Sequence, residues 1–265
     1  MKNKSKELKI AIKAAIKAGK ILKKHFEKDV LKEFKEDETI VTIADRESEI
    51  IIKKIIGKAF PNHCLIGEES GSNKKVCEYV WHIDPLDGTR NFANGLPIFG
   101  VSIALVFNHE IMVGVVYNPV TKSLFYAEKN KGAYLNNKKI FVSEDDEEHA
   151  IIAVDPSKNE ENTKLRKELL YSFPRTFVRS VRDLGSTAVE LSYLARGSFE
   201  ANIQLGLESY DFAAGALIVL EAGGKITKLD GSEWEFPENN FIASNGVFHD
   251  KLVEEIKKQK EKLKI

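Results

Sequence analysis

The stretch Trp81-His82-Ile83-Asp84-Pro85-Leu86-Asp87-Gly88-Thr89-Arg90-Asn91-Phe92 decides how the rest of this chain is read. Residues 79–83 read as a hydrophobic strand that ends at Asp84. Pro85 fixes φ and donates no hydrogen bond, Gly88 permits a tight turn, and a short helix is expected from Thr89. Two carboxylates this close at a strand end repel each other unless a cation lies between them. Hard divalent cations such as Mg²⁺ take oxygen ligands of this kind. Backbone N–H groups of Gly88 and Thr89 at a helix start would suit a phosphate. In open α/β sheets, ligands gather at the carboxyl ends of strands. Asp-Pro and Asp-Gly are equally common in turns, so the stretch taken alone leaves a plain turn open.

Other acidic positions weigh against the plain turn. Gly67-Glu68-Glu69-Ser70 follows an expected strand over 63–67. Asp211, in Tyr210-Asp211-Phe212, opens the most apolar helix of the chain, and Asp45 lies near the start of an expected helix over 45–59. Each of the two aspartates alone reads as a helix cap. Their joint placement at element ends is what a site for more than one metal requires.

Further out, Leu8, Ile12, Ala15, Gly19, Leu22 and Phe26 recur every three or four residues, which predicts a helix over 5–27 with a solvated lysine face. Val, Ile, Phe and Tyr enrichment predicts strands over 63–67, 79–83, 100–107, 111–117 and 123–127. Turns are expected at Asn108-His109-Glu110 and at Asn136-Asn137, the latter between 133–135 and 138–142. The acidic run 144–148 reads as a solvated linker. It divides an amino-terminal half, 1–142, with most of the candidate ligands, from a carboxy-terminal half, 143–265, with Asp211; both are expected to form one unit. The second half reads as strand 150–154, helix 160–171, strand 176–181, helix 186–196, strand 199–204, helix 211–222, strands 224–229 and 240–243, and helix 246–262. This alternation predicts a layered α/β protein.

Composition excludes several classes. The 265 residues carry 40 Lys+Arg against 40 Asp+Glu, so there is no basic excess of the kind nucleic-acid binders usually show. No stretch approaches the ~18 apolar residues of a membrane span, and the amino terminus lacks the continuous apolar core of a secretory signal. Two cysteines, Cys64 and Cys77, make no disulfide framework; a reducing, cytoplasmic setting fits best, with a single bridge left open. Six histidines show no H-x-H or H-E-x-x-H spacing. No G-x-S-x-G, P-loop or strand-linked G-x-G-x-x-G occurs.

Five blocks, in order, resemble the inositol monophosphatase family of Mg²⁺-dependent, lithium-sensitive phosphatases over roughly residues 8–260. They are Val41-Thr42-x-x-Asp45, Gly67-Glu68-Glu69-Ser70, Asp84-Pro85-Leu86-Asp87-Gly88-Thr89-x-Asn91-Phe92, Gly185-Ser186-Thr187-Ala188, and Asp211-x-Ala213-Ala214-Gly215 followed by Glu221-Ala222-Gly223-Gly224. The resemblance implies an αβαβα sandwich, a homodimer and two to three Mg²⁺ ions. Glu68, Asp84 and the Leu86 carbonyl would hold the first ion, Asp84, Asp87 and Asp211 the second, and Glu68 would share a weaker third. Glu68 and Thr89, the latter supported by Asp45, would orient a water that the metal activates for direct attack on a phosphate monoester. Asp87, Gly88 and Thr89 would surround the phosphate, and Ser186, Thr187 and Ala188 would lie beside the organic part of the substrate.

The resemblance also frames the substrate. In inositol-specific animal members, a glutamate seven residues before the last metal aspartate contacts inositol hydroxyls; here that position is Gln204, which carries no charge. Arg182 either supports the site or reaches a second phosphate, or is a plain surface arginine. Inositol-1-phosphate is the expected substrate, with fructose-1,6-bisphosphate as a second. A bisphosphate nucleotidase, a histidinol-phosphate phosphatase and a non-enzymatic RNA- or partner-binding protein are the alternatives. Neither nucleic acid nor membrane is expected as the main partner.

Overall fold

The computed structural model describes residues 4–26, 32–34, 40–72, 77–155, 157 and 159–265. Helix α1 (Lys6–Phe26) buries Leu8, Ala11, Ala15, Ala18 and Leu22 along one stripe, as its period predicts. Strands β1 (Lys32–Phe34) and β2 (Ile40–Thr42) form a small antiparallel pair and lead into helix α2 (Ile43–Ala59). Next come β3 (Cys64–Gly67), β4 (Gly71–Ser72), β5 (Tyr79–Asp87), the short helix α3 (Thr89–Ala93), β6 (Gly100–Phe107), β7 (Glu110–Asn118), β8 (Ser123–Glu128), β9 (Ala133–Leu135) and β10 (Lys138–Lys139). These strands build an eight-stranded sheet in the order β10-β9-β8-β7-β6-β5-β3-β4.

The acidic run lies in irregular chain that connects this sheet to the remaining elements. These are β11 (Ile151–Val154), α4 (Glu160–Thr176), β12 (Ser180–Arg182), α5 (Thr187–Ala195), β13 (Ala201–Leu205), α6 (Ser209–Glu221), β14 (Lys225–Lys228), β15 (Asn240–Ser244) and α7 (His249–Leu263). Their strands form a five-stranded sheet, β12-β11-β13-β15-β14.

Strand alternation sorts the apolar residues into layers. Ile103 and Leu105 of β6 pack with α1 and α2. Their neighbours Ala104 and Val106 face α5 and α6, whose Leu191, Leu194, Phe212 and Leu217 also meet Phe241 and Ala243 of the second sheet. On the far side of that sheet Ile152, Val154 and Ile203 pack against Leu165, Leu169 and Phe173 of α4 and Leu252 and Ile256 of α7. The result is the expected five-layer αβαβα sandwich.

Several local expectations are corrected. Helix α4 runs to Thr176 rather than stopping at 171, because Leu165, Leu169 and Phe173 continue its buried face through the turn that contains Pro174. The strand expected over 176–181 shrinks to Ser180–Arg182, and that over 138–142 to Lys138–Lys139. Cys64 and Cys77 are joined by a disulfide, with Cα atoms 5.8 Å apart.

Candidate active site

The site begins at an irregularity in β5. Asp84 pairs with Ser102 and Asp87 with Gly100, so three steps along β5 match two along β6. In an unbroken strand, residues three apart face opposite sides. The extra residue breaks that alternation and allows both carboxylates to serve one site. The Leu86 amide donates to Asp84 Oδ1 (2.8 Å) and fixes the turn. Gly88 follows with φ of 90°, and a Cβ there would lie 2.9 Å from the Ile98 carbonyl oxygen and 3.1 Å from the Ser186 side chain. Only glycine suits both that angle and that closeness.

Strand β3 runs parallel beside β5, with Gly67 opposite Ile83, so Glu68 emerges next to Asp84 at the same sheet end. Its amide donates to Ile83 O (3.2 Å). The loop after it is held by buried Glu49, which accepts from the Glu69 amide (2.8 Å) and from the Ser70 hydroxyl. Asp211 arrives from α6, where it closes a capping box by accepting from the Glu208 amide (3.0 Å). The Ser102 hydroxyl donates to Tyr210 O (3.0 Å) and ties that helix start to β6.

Asp45 is wholly buried in the first turn of α2. Its Oδ2 accepts from the Thr42 amide (2.8 Å) and hydroxyl (2.6 Å). Its Oδ1 lies 3.3 Å from Thr89 Oγ1, which is also 3.0 Å from Leu86 O. The Thr89 hydroxyl has one proton and two acceptors. Asp87 is held from α5: its Oδ2 accepts from Ser186 Oγ (2.6 Å) and from the Ala188 amide (2.8 Å).

The electrostatics are one-sided. Burial, and then the charges of Glu68, Asp87 and Asp211, push the Asp84 carboxyl well above its ordinary range. Burial and the charges of Asp87 and Glu68 do the same for Asp211. Asp87 and Asp45 are raised to about 7, mainly by burial, against the pull of their hydrogen bonds. Asp84, Asp87 and Asp211, each raised first by burial and also by the negative charge of Glu68, form with Glu68 a donor set that fits a hard divalent cation. Among the described residues, no three His, Cys, Asp or Glu side chains close into a ready-made cage; the donors converge on one end of β3 and β5 without enclosing a finished centre.

The other expected residues are placed as follows. Thr187 Oγ1 donates inward to Asp155 Oδ1 (2.6 Å), and Ala188 is buried with its amide given to Asp87. Gln204 is wholly buried, its Nε2 donating to Asp155 Oδ2 (2.5 Å) and Asn202 Oδ1 (2.6 Å). Arg182 is exposed, with Nη1 donating to Val181 O (3.0 Å). Reading the sequence missed Asp155, Glu190 and Glu49. Asp155-Pro156 after an apolar strand repeats the pattern of Asp84-Pro85 and was the available signal. A recess of about 750 Å³ lined by Leu217, Leu220, Trp234 and Phe236 lies elsewhere and includes none of these carboxylates.

Comparison with known proteins identifies the family. The family model described as "Inositol monophosphatase family" matches residues 3–261. A "Fructose-1,6-bisphosphatase/inositol-1-monophosphatase" of Aquifex aeolicus (strain VF5) is 37% identical over 269 residues, spanning 98% of this chain and 99% of the relative. "Nus factor SuhB" of Vibrio cholerae is 39% identical over 245 residues, spanning 90% and 91%. The solved structure of a Thermotoga maritima IMPase superposes with a TM-score of 0.89 at 33% identity, covering 97% of this chain and 99% of that one.

Proposed function

This chain belongs to the inositol monophosphatase family and is a phosphoric monoester hydrolase, and from that premise we propose that it hydrolyses inositol-1-phosphate, and also fructose-1,6-bisphosphate, with two to three Mg²⁺ ions per active site. The observation that carries the reading is the gathering of the buried carboxyls Asp84, Asp87 and Asp211 beside Glu68, whose charge, after burial, raises all three. The family is generally metal-dependent. Glu68, Asp84 and the Leu86 carbonyl would hold one ion, Asp84, Asp87 and Asp211 a second, and Glu68 would share a third. Bound Mg²⁺ neutralises charge on the phosphoryl group and the leaving oxygen and eases deprotonation of water.

The chain's own groups then order the reaction. Thr89 Oγ1 takes the proton of the attacking water and passes its own to Asp45 Oδ1, a carboxylate whose proton affinity near neutrality suits a base. Glu68 orients that water in line with the leaving oxygen. Gly88 and Thr89 amides receive phosphoryl oxygens beside Asp87. Ser186, Thr187 and Ala188 border the organic part of the substrate, and Arg182 reaches a second phosphate. Neutral Gln204 in place of a glutamate favours a broader substrate range than inositol alone, and the relative named for both activities agrees. We place the enzyme in the cytoplasm as a homodimer; among the described residues no helix is long and apolar enough to cross a membrane.

Phosphate release from inositol-1-phosphate, fructose-1,6-bisphosphate, phosphoadenosine phosphate and histidinol phosphate, with and without Mg²⁺, tests this. The first two are expected to be cleaved only with Mg²⁺, and Asp87→Asn to lose nearly all turnover with its fold intact. Preference for either of the last two overturns the substrate, and Mg²⁺-independent release overturns the chemistry. A partner-binding role is a second reading, favoured by the 39% identity to a Nus factor; salt-sensitive RNA binding by the purified protein tests it.

A further inference from the structure

Behind the amino-terminal turn of α5 lies a buried polar network that the reaction does not use directly. Asp155 follows the last residue of β11 and is 1% exposed. Its Oδ1 accepts from Thr187 Oγ1 (2.6 Å), and its Oδ2 accepts from Asn202 Nδ2 (2.8 Å) and Gln204 Nε2 (2.5 Å). Glu190, wholly buried on α5, accepts from the Leu184 amide at Oε1 (2.5 Å) and from Asn202 Nδ2 at Oε2 (3.1 Å). Asn202 Nδ2 bridges the two carboxyls, so they lie close together in a buried place. Two buried carboxyls held this close favour sharing a single proton. Asp155 receives three donors and Glu190 two, so Asp155 is the better anion and the proton belongs to Glu190.

The network grips the segment that grips Asp87. Thr187 stands between Ser186 and Ala188, whose hydroxyl and amide hold Asp87 Oδ2. Glu190 pins the Leu184 amide, two residues before Ser186, while Asn91 Nδ2 donates to the Leu184 carbonyl (2.6 Å). We propose that Asp155 and Glu190 form a one-proton pair of positioning residues that fixes the α5 amino terminus and so presents Asp87 to Mg²⁺. This inference rests on the reading of Asp87 as a metal ligand. Neither residue touches substrate. Gln204, in the position where inositol-specific relatives place a charged contact, is a donor to this pair.

The test compares Asp155→Asn, Glu190→Gln and Thr187→Val by calorimetric Mg²⁺ uptake on the substrate-free protein, and by kcat and KM against Mg²⁺ concentration. Asp155→Asn replaces one accepting oxygen with an N–H donor among groups that all donate, and is expected to weaken Mg²⁺ uptake about tenfold or more, the usual cost of losing an outer-shell partner. Its kcat recovers at saturating Mg²⁺. Glu190→Gln keeps Oε1 for Leu184 and supplies an N–H towards Asp155, losing only the longer Asn202 contact (3.1 Å), and is expected to weaken uptake clearly less than Asp155→Asn. Thr187→Val removes one bond and weakens uptake less; if Asp155→Asn does not fold, this variant decides. Parent-like Mg²⁺ uptake by Asp155→Asn, or by Thr187→Val in its stead, contradicts the inference. Equal damage from Glu190→Gln contradicts the one-proton pair. A parent protein that takes up no Mg²⁺ contradicts the functional reading itself, and with it this one.

Discussion

Asp45 and Asp87 show how far burial alters a single side chain. A free aspartate near 3.8 is raised to about 7 at both positions. For Asp45, wholly buried, that rise corresponds to about 4 kcal/mol favouring the protonated form. Between about pH 4 and pH 7 the metal-free fold therefore holds protons that the unfolded chain has released, and its stability falls as pH rises through that window. His82 and His249, lowered to about 4 mainly by burial, act in the opposite sense: the unfolded chain takes protons that the fold refuses, so stability falls as pH drops from 6.5 towards 4. On the proposed reading, Mg²⁺ would bind the ionised carboxylates and leave the histidines untouched. The rise in melting temperature on adding saturating Mg²⁺ is thus expected to be several degrees at about pH 8 and much smaller at about pH 5. A rise independent of pH would contradict this account of the carboxyls.

At the scale of elements, the turn from β5 into α3 carries most of the geometry. Gly88→Ala places a Cβ 2.9 Å from Ile98 O at a φ of 90°, and is expected to cost ~1–3 kcal/mol together with Mg²⁺-dependent activity. Unchanged denaturant midpoint and unchanged activity would contradict the claim that this turn admits only glycine. This turn was legible because Asp-Pro, Asp-Gly and a strand end are local signals. So were the two tight hairpins, where Asn108 and His109, and Asn136 and Asn137, adopt positive φ. The shift of pairing between Asp84 and Asp87 was not legible, since it depends on the partner strand β6. The expected end of α4 at 171 falls short because the burial of Phe173 carries the helix through the turn that contains Pro174. The roles of Thr187 and Gln204 were hidden for the same reason: their partner, Asp155, is distant in sequence and near only in the fold.

For the whole molecule, the sandwich brings five residues, Asp45 on α2, Glu68 after β3, Asp84 and Asp87 on β5 and Asp211 on α6, to one region from four places in the chain. The middle layer matters most. Helices α5 and α6 are buried between the two sheets, and from their amino-terminal turns come the hydrogen bonds that hold Asp87 and the carboxylate of Asp211. Diffraction from crystals grown with Mn²⁺ and inorganic phosphate is the most direct test of the central claim. Anomalous peaks are predicted among the carboxylates of Glu68, Asp84, Asp87 and Asp211, with phosphate beside them; their absence from that place, with those oxygens held apart, would contradict it.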